Sequence, residues 1–146
     1  MSTVLQLSVL VENTNGRLSE VLSVLRDNDI DIRASTITDT TTFGILRMIV
    51  DRCQEAEGIL RQAGFTVTCA EVNAISVEDR PGGLLDALLC LENNNIGVEY
   101  MYAAAGSANE KAFIILRTTD GVDVSDLLAQ NGIRVVQPDE IFRQPI

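Results

Sequence analysis

The stretches that decide the fold are ENTNGRL at residues 12–18 and EDRPGGL at residues 78–84. Each begins with an acid, carries a polar segment around a glycine and ends in a leucine. Each follows a run of alternating apolar residues and precedes a run with helical spacing. Because the two copies lie 66 positions apart (78 − 12 = 66) in a chain of 146 residues, they indicate an internal repeat.

The repeat continues through both halves of the chain. A shift of 66 aligns glycine, helix and helix stop: Gly16 with Gly82, Leu18 with Leu84, Leu25 with Leu91, and Ile30 with Ile96. Later in each half the shift is 68, since Gly64 aligns with Gly132 and Val67 with Val135. We place the two extra residues in the turn around residues 106–110 of the second half.

Hydrophobic spacing predicts the order βαββαβ in each half. In the first strand, alternation places Leu5, Leu7, Val9 and Val11 on one side. Leu18, Val21, Leu22 and Leu25 then form one apolar stripe on a helix, with Asn15 as its expected cap.

This order predicts an α+β fold of two ferredoxin-like βαββαβ repeats, each an antiparallel sheet with both helices on one face. We expect one domain at residues 1–70 and a second at 71–146. Almost no linker separates them, which predicts that a terminal strand is exchanged between the halves or that the two sheets meet near the junction. The second helix carries Leu85 and Leu89 where the first has serines, so it is expected to pack on a further surface.

Composition excludes several classes of function. The formal charge of −10 argues against nucleic acid and anionic membranes as partners, and six aromatic residues are too few for an RNA-binding sheet. The chain has no histidine, which removes the commonest general base and zinc ligand, so neither a metal nor a cofactor is expected. Cys53, Cys69 and Cys90 show no CxxC pairing and are interpreted as reduced thiols of a cytoplasmic protein.

The glycine loops have a chemistry that suits a free amino acid. The start of a helix offers backbone N–H groups to a carboxylate, and glycine lets the ligand approach them. Asn13, Asp79 and Asp31 supply oxygen atoms for an ammonium group. From the loop alone, however, a tight strand-to-helix turn explains the glycines better.

The phrase E-N-x-x-G-x-L between strand and helix, followed by a polar stop and Asn/Asp-Ile, resembles the ACT domain, a regulatory amino-acid-binding module. Residues 12–18 and 29–32 carry the resemblance in the first half, and residues 78–84 and 95–98 carry it in the second. It implies amino acids bound at the seam between two paired domains, where the glycine loop of one faces the second strand of the other. The implied ligand-binding positions are Asn13, Thr14, Asn15, Gly16, Arg17, Leu18, Asp31 and Ile32 in the first half, and Asp79, Arg80, Pro81, Gly82, Gly83, Leu84, Gly97 and Val98 in the second.

The same resemblance makes the two seams unequal. Asn13 would face Gly97, whereas Asp79 would face Asp31. The second pairing is acidic and would favour a cationic or amine-rich ligand, or stay empty.

Three functions remain open from the sequence. The leading one is a non-catalytic cytoplasmic protein that senses a free amino acid and forms a homodimer. The alternative is a regulatory subunit of a biosynthetic enzyme, because the first half also resembles the start of the acetolactate synthase small subunit. The third is hydrolysis of a small acid anhydride, since acylphosphatase-like enzymes share the βαββαβ order. Arg17 and Arg80 are loose candidates for the arginine such an enzyme needs.

Overall fold

A computed structural model describes residues 2–12, 14–39, 42–104 and 111–142. The helices and strands follow one another in the order β1 Val4–Glu12, α1 Arg17–Asp27, β2 Ile32–Asp39, β3 Phe43–Val50, α2 Cys53–Gln62, β4 Thr66–Glu78, α3 Gly83–Asn93, β5 Val98–Ala104, β6 Lys111–Thr118, α4 Ser125–Gln130, β7 Arg134–Val135 and α5 Pro138–Phe142.

The chain divides into two compact units. The first unit is Leu5–Ala70, and the second is Glu71–Ile146 together with Met1–Val4. In the first unit the strand order is β2-β3-β1-β4, and β3 pairs antiparallel with both β1 and β2. The second unit has the order β5-β6-β4-β7, all antiparallel. The predicted α+β fold of two ferredoxin-like repeats is confirmed.

Strand pairing reproduces the repeat found in the sequence. Val9 pairs with Leu46 in the first unit and Ile75 pairs with Ile114 in the second, so the two partners are shifted by 66 and 68. The change from one shift to the other falls between Ala104 and Lys111, because β5 still follows the shift of 66 and β6 follows 68. The turn around residues 106–110, where we predicted the insertion, lies outside the described residues.

Helices α1 to α4 all end in the same way. After α1, the N–H of Ile30 donates to the carbonyl of Leu25, and after α3 the N–H of Ile96 donates to that of Leu91. The residue between helix and strand takes a positive φ each time, 57° at Asp29 and 60° at Asn95. This hydrogen bond satisfies carbonyl groups that the helix leaves open, which explains why polar residues that tolerate a positive φ follow the apolar stripe.

Each unit buries one face of its sheet against its helices. The core of the first unit joins residues of β1, β3, α1 and α2, including Leu7, Val21 and Leu60. The predicted apolar stripe of α1 is only half right, because Val21 and Leu25 are fully buried while Leu18 and Leu22 stay 38% and 40% exposed. Leu5, expected on the buried side of β1, is 36% exposed and lies outside that core, whereas its neighbours Val4 and Gln6 are buried.

No linker separates the two repeats in the chain. Strand β4 runs for 13 residues without a break through Ala70 and Glu71, so its first part belongs to the first unit and its second part to the second. The second unit also holds Ser2, whose N–H donates to Ser125 Oγ at 3.1 Å and whose carbonyl accepts from Ser125 Oγ at 2.7 Å. Gln137 Nε2 donates to the Ser2 hydroxyl at 2.8 Å.

Helix α3 presents the two leucines noted in the sequence to the outside. Leu85 is 53% exposed and Leu89 is 41% exposed, so they do not widen the local core. None of the helices that the structure describes is long and apolar enough to cross a membrane.

Candidate functional site

The glycine loop of the first unit turns directly from β1 into α1. The N–H of Thr14 donates to the carbonyl of Glu12 at 2.7 Å, and Gly16 takes a left-handed φ of 93°. Gly16 itself is the N-terminal cap and no side chain caps the helix, so the expectation that Asn15 caps α1 is wrong. A side chain at Gly16 would meet no atom within 4 Å, and Thr14 and Asn15 are also exposed. The loop is therefore open above the helix start, whereas Asn13 lies outside the described residues.

Arg17, the first residue of α1, lies against its own unit. Its guanidinium carbon is 4.5 Å from the centre of the Phe65 ring, and its Nη1 forms an ion pair with Glu20. Its Nε is buried and has no hydrogen-bond partner among the described residues. A cation over an aromatic ring is held by the ring quadrupole, so Arg17 covers this side of the loop.

The second unit repeats the loop with different side chains. Gly82 takes a φ of 85° and caps α3, and the N–H of Arg80 donates to the carbonyl of Glu78 at 2.9 Å. Gly83 occupies the position that Arg17 holds in the first unit. A Cβ at Gly83 would lie 2.0 Å from the Glu78 carbonyl oxygen, so the end of β4 passes directly against the start of the helix. Gly83 therefore serves close packing, and Gly82 supplies the bend.

A cleft of about 170 Å³ opens beside this loop, within the second unit. The end of β4, the start of α3 and the segment leading into β7 form its walls. Its lining includes Ser76, Gly83 and Arg134. The Ser76 hydroxyl is buried and has no hydrogen-bond partner among the described residues. An unpaired buried hydroxyl is costly, so the cleft has an unmet capacity for a polar partner.

Charges of both signs surround the cleft. Arg80 pairs with Glu78 and with Asp86, while Lys111 pairs with Glu78. The hydrogen bond from Arg80, followed by its charge and that of Lys111, holds the pKa of Glu78 below its usual value, so this carboxyl is ionised at neutral pH. Arg134 also lines the cleft and pairs with Glu140. Cations and carboxylates at one small cleft match the two charges of a zwitterion.

The predicted positions at the start of the second strand occupy a different place. Asp31 and Ile32 line an open groove of about 470 Å³ between the C-terminal half of α1 and β2. The N–H of Asp31 donates to Asp51 Oδ1 at 3.1 Å, and its carboxylate lies 3.5 Å from Arg33. The N–H of Asp51 also donates to the Asp31 carbonyl at 3.2 Å. In the second unit the N–H of Thr119 donates to the Gly97 carbonyl at 2.9 Å, so a glycine replaces the acid in an equivalent backbone pairing.

Within one unit the structure does not bring all predicted positions together. The loop at residues 14–18 and Asp31 flank opposite ends of α1, whose 11 residues span roughly 16 Å along the helix axis. In the second unit α3 separates the loop at residues 79–84 from Gly97 and Val98 in the same way.

Of the residues that line the cleft, the sequence analysis named only Arg80 and Gly83 as site positions, and those it missed include Ser76, Lys111 and Arg134. These three belong to three different strands, so no local pattern joins them. Only the strand order of the folded sheet joins them, because it places the strands of Lys111 and Arg134 on either side of the strand of Ser76. Among the described residues, no three histidine, cysteine or acidic side chains are grouped to hold a metal ion.

Comparison with known proteins decides the family. The family model described as ACT domain pair matches residues 2–143. The chain belongs to the ACT domain pair family. ACT domains are regulatory modules, and the glycine loops and the second-strand positions described above are therefore features of two ACT domains in one chain. No curated protein sequence matches this chain.

Solved structures with the same fold cover almost the whole ACT pair. Protein BT0572 from Bacteroides thetaiotaomicron has a TM-score of 0.88 and 30% identity over 97% of each chain. The ligand-free regulatory subunit of aspartate kinase from Thermus thermophilus has a TM-score of 0.62 and 12% identity, covering 89% of this chain and 93% of that one. The corresponding subunit from Thermus flavus has a TM-score of 0.61 and 11% identity over 98% of each chain. At 11–12% identity, these two similarities concern the fold.

Proposed function

We propose that this ACT pair is a non-catalytic sensor that binds a free amino acid at its glycine loops, and that a paired ACT domain covers the bound ligand at the seam. The observation that carries the proposal is the cleft beside Gly82 and Gly83, which combines a helix start, cations and carboxylates in about 170 Å³. The ligand carboxylate would meet the N-terminus of α3 and Arg80, and the ammonium group would meet Glu78 or Asp86.

The two loops differ, and this supports the second unit as the stronger site. Arg17 lies on Phe65 beside the first loop, whereas the equivalent position beside the second loop is Gly83, where the cleft opens. The expected pairing of Asp79 with Asp31 and of Asn13 with Gly97 stays a prediction. If the second loop alone binds tightly, each chain takes up one amino acid.

The size of the ligand sets the expected affinity. An amino acid has about ten non-hydrogen atoms, and at ~0.6–0.8 kcal/mol per atom it binds with ~6–8 kcal/mol. This corresponds to a dissociation constant of roughly 1–40 μM, which suits the sensing of a metabolite pool. By linkage, a ligand that binds only the closed arrangement of a seam also stabilises that arrangement.

Thermal-shift screening against the twenty amino acids, followed by calorimetry, tests the proposal. We expect one amino acid or a closely related group to bind, and Arg80→Ala to weaken that binding by about tenfold or more, since charged hydrogen bonds contribute ~1.5–3 kcal/mol. Thr14→Ala is the matched control, because Thr14 holds the position of Arg80 in the first loop. If no amino acid binds, the sensor proposal fails. If Thr14→Ala abolishes binding and Arg80→Ala does not, the site lies at the first loop.

The alternative is a regulatory subunit of a biosynthetic enzyme. The Thermus proteins of the same fold are called regulatory subunits of aspartate kinase, and exposed Leu85 and Leu89 offer an apolar surface on α3. The same leucines support the homodimer, which stays a prediction together with the cytoplasmic location. Leu85→Ser with Leu89→Ser restores the serines of α1 and would release either kind of partner, as measured by light scattering and by co-purification of a larger catalytic chain.

Hydrolysis of an acid anhydride has less support than binding. Arg17 pairs with Glu20, and Arg80 pairs with Glu78 and Asp86, so carboxylates beside both guanidinium groups would repel a purely anionic acyl phosphate, whereas an amino acid brings an ammonium group to them. Turnover of a small acyl phosphate that Arg80→Ala abolishes would revive this function.

A further inference from the structure

Two cysteines of the first unit lie in direct contact. Cys53 is the first residue of α2 and Cys69 lies in β4, and their Sγ atoms are 3.1 Å apart. A disulfide bond is ~2.05 Å long, so the two sulfur atoms need to approach by only about 1 Å. Cys53 is 7% exposed and Cys69 is half-buried, so a reagent reaches the pair from the side of Cys69.

The second unit has the same fold but no equivalent contact between cysteines. The shift of 68 aligns Cys53 with Gly121 and Cys69 with Gln137, so the second unit has no thiol at either place. The third cysteine, Cys90, lies in α3 of the second unit. The pair is thus a property of the first unit alone.

We propose that Cys53 and Cys69 form a site of reversible thiol–disulfide exchange, which takes a low-molecular-weight disulfide such as oxidised glutathione as its oxidant. The Cys69 thiolate attacks one sulfur of the small disulfide, whose S–S bond breaks and releases one small thiolate that takes up a proton. The Cys53 thiol then loses its proton to solvent, and its sulfur attacks Cys69 Sγ and displaces the second small thiol. Two protein thiols are oxidised by two electrons, and one small disulfide is reduced to two thiols.

The surroundings of the pair determine how fast this exchange proceeds. Burial raises the pKa of both thiols, and contact with Cys69 raises that of Cys53 further. Glu57 also raises the pKa of Cys69, while the neighbouring Cys53 thiol and Arg61 act in the opposite direction. Because the thiolate is the reacting form, we expect slow exchange at neutral pH, so the extent of oxidation has to be read at equilibrium.

The bond would also fix one end of the candidate groove in the first unit. Arg52, next to Cys53, donates from Nη2 to the carbonyls of Asn28 at 2.7 Å and Asp29 at 2.5 Å. Asp29 lines the groove that contains Asp31. Oxidation would therefore link Asp29, in the wall of this groove, to β4 through Arg52 and the start of α2.

Mass spectrometry of the full chain carrying Cys90→Ser tests the proposal. The reduced protein is equilibrated with oxidised glutathione, alkylated in denaturant and weighed. We expect the loss of both free thiols, a mass lower by two hydrogen atoms and no retained glutathione, all reversed by dithiothreitol. Trypsin should then release the peptide of residues 53–61 linked to that of residues 62–111, since Pro81 blocks cleavage after Arg80.

Two controls make the result decisive. Cys53→Ser in the same background should keep one glutathione on Cys69 and form no cross-link, because the resolving thiol is absent. The second control is the same mixture in urea, where both thiols are accessible. The proposal is overturned if both thiols of the folded chain remain free at equilibrium while those in urea react. It is equally overturned if the chain forms interchain dimers or retains two glutathiones. None of these outcomes depends on whether the chain binds an amino acid.

Discussion

Replacing Gly83 with alanine would place a methyl group where the carbonyl oxygen of Glu78 already lies. The added Cβ would be 2.0 Å from that oxygen and 3.1 Å from the Glu78 carbonyl carbon. Both are backbone atoms of a strand that pairs with β6, so neither side can yield cheaply. Either the end of β4 or the start of α3 must move by about 1 Å, and such overpacking costs ~1–3 kcal/mol.

Gly58 provides a matched control of the same chemistry. It lies on the exposed side of α2, and a Cβ there would meet no atom within 4 Å. Alanine in a helix interior is favoured over glycine by ~0.5–1 kcal/mol, so Gly58→Ala should stabilise the protein. The two Gly→Ala variants are therefore expected to differ by roughly 2–4 kcal/mol, with opposite signs relative to the natural chain.

Urea unfolding followed by circular dichroism measures this difference, and the midpoints should move in opposite directions at unchanged slope. In a thermal scan Gly83→Ala should melt roughly 2–12 °C lower, since 1 kcal/mol corresponds to about 2–4 °C in a chain of this size. If Gly83→Ala is as stable as the natural chain, Gly83 has no packing role, and the close approach of β4 to α3 is wrong.

Four further changes test other parts of the structure. Asn73→Ala should cost ~2–3 kcal/mol in urea unfolding, because this buried amide hydrogen-bonds the residues at the start of α4. Burial raises the pKa of Asp123, but hydrogen bonds from Asn73 and Ser125 outweigh it and leave the pKa lowered. The stabilisation by the ionised Asp123 carboxylate is thus present above the ordinary carboxyl pKa of ~4 and is lost as pH falls through the lower folded value. Asp123→Asn should therefore approach the natural chain in stability below pH ~4. Arg52→Ala should cost ~1 kcal/mol by freeing the last carbonyls after α1. Oxidation that joins Cys53 to Cys69 closes a loop of about 17 residues and should raise the free energy of unfolding by ~3 kcal/mol, measured with and without reductant.

The fold could be predicted well because the sequence pattern of each element is local and occurs in both repeats. Alternation, helical spacing and polar helix stops each describe a single element, and the shift of 66 places them in register. The stops at Asp29 and Asn95 are a clear case, since both take the positive φ that ends the helix. The cap of α1 was missed because Gly16, and not Asn15, takes the left-handed conformation there.

The candidate site was predicted only in part because its character depends on tertiary contacts. The sequence located both glycine loops, but nothing near Arg17 in the chain reveals that it lies on Phe65. Equally, nothing near Gly83 reveals that Lys111 and Arg134 line the same cleft. Packing also decided which apolar residues are covered, so the exposed Leu22 cannot be told from the buried Val21 by spacing alone.

The hydrogen bonds of Ser2 join positions that are synthesised far apart in time. Ser2 and Ser125 are separated by 123 positions, and Ser2 and Gln137 by 135, so these hydrogen bonds form only after both repeats have been translated. Contacts between such distant positions form slowly. During synthesis the first repeat can therefore be complete while Ser2 still lacks its partners in the second repeat. Fusion tags placed directly before Ser2 would disturb the repeat that is farther away in the gene.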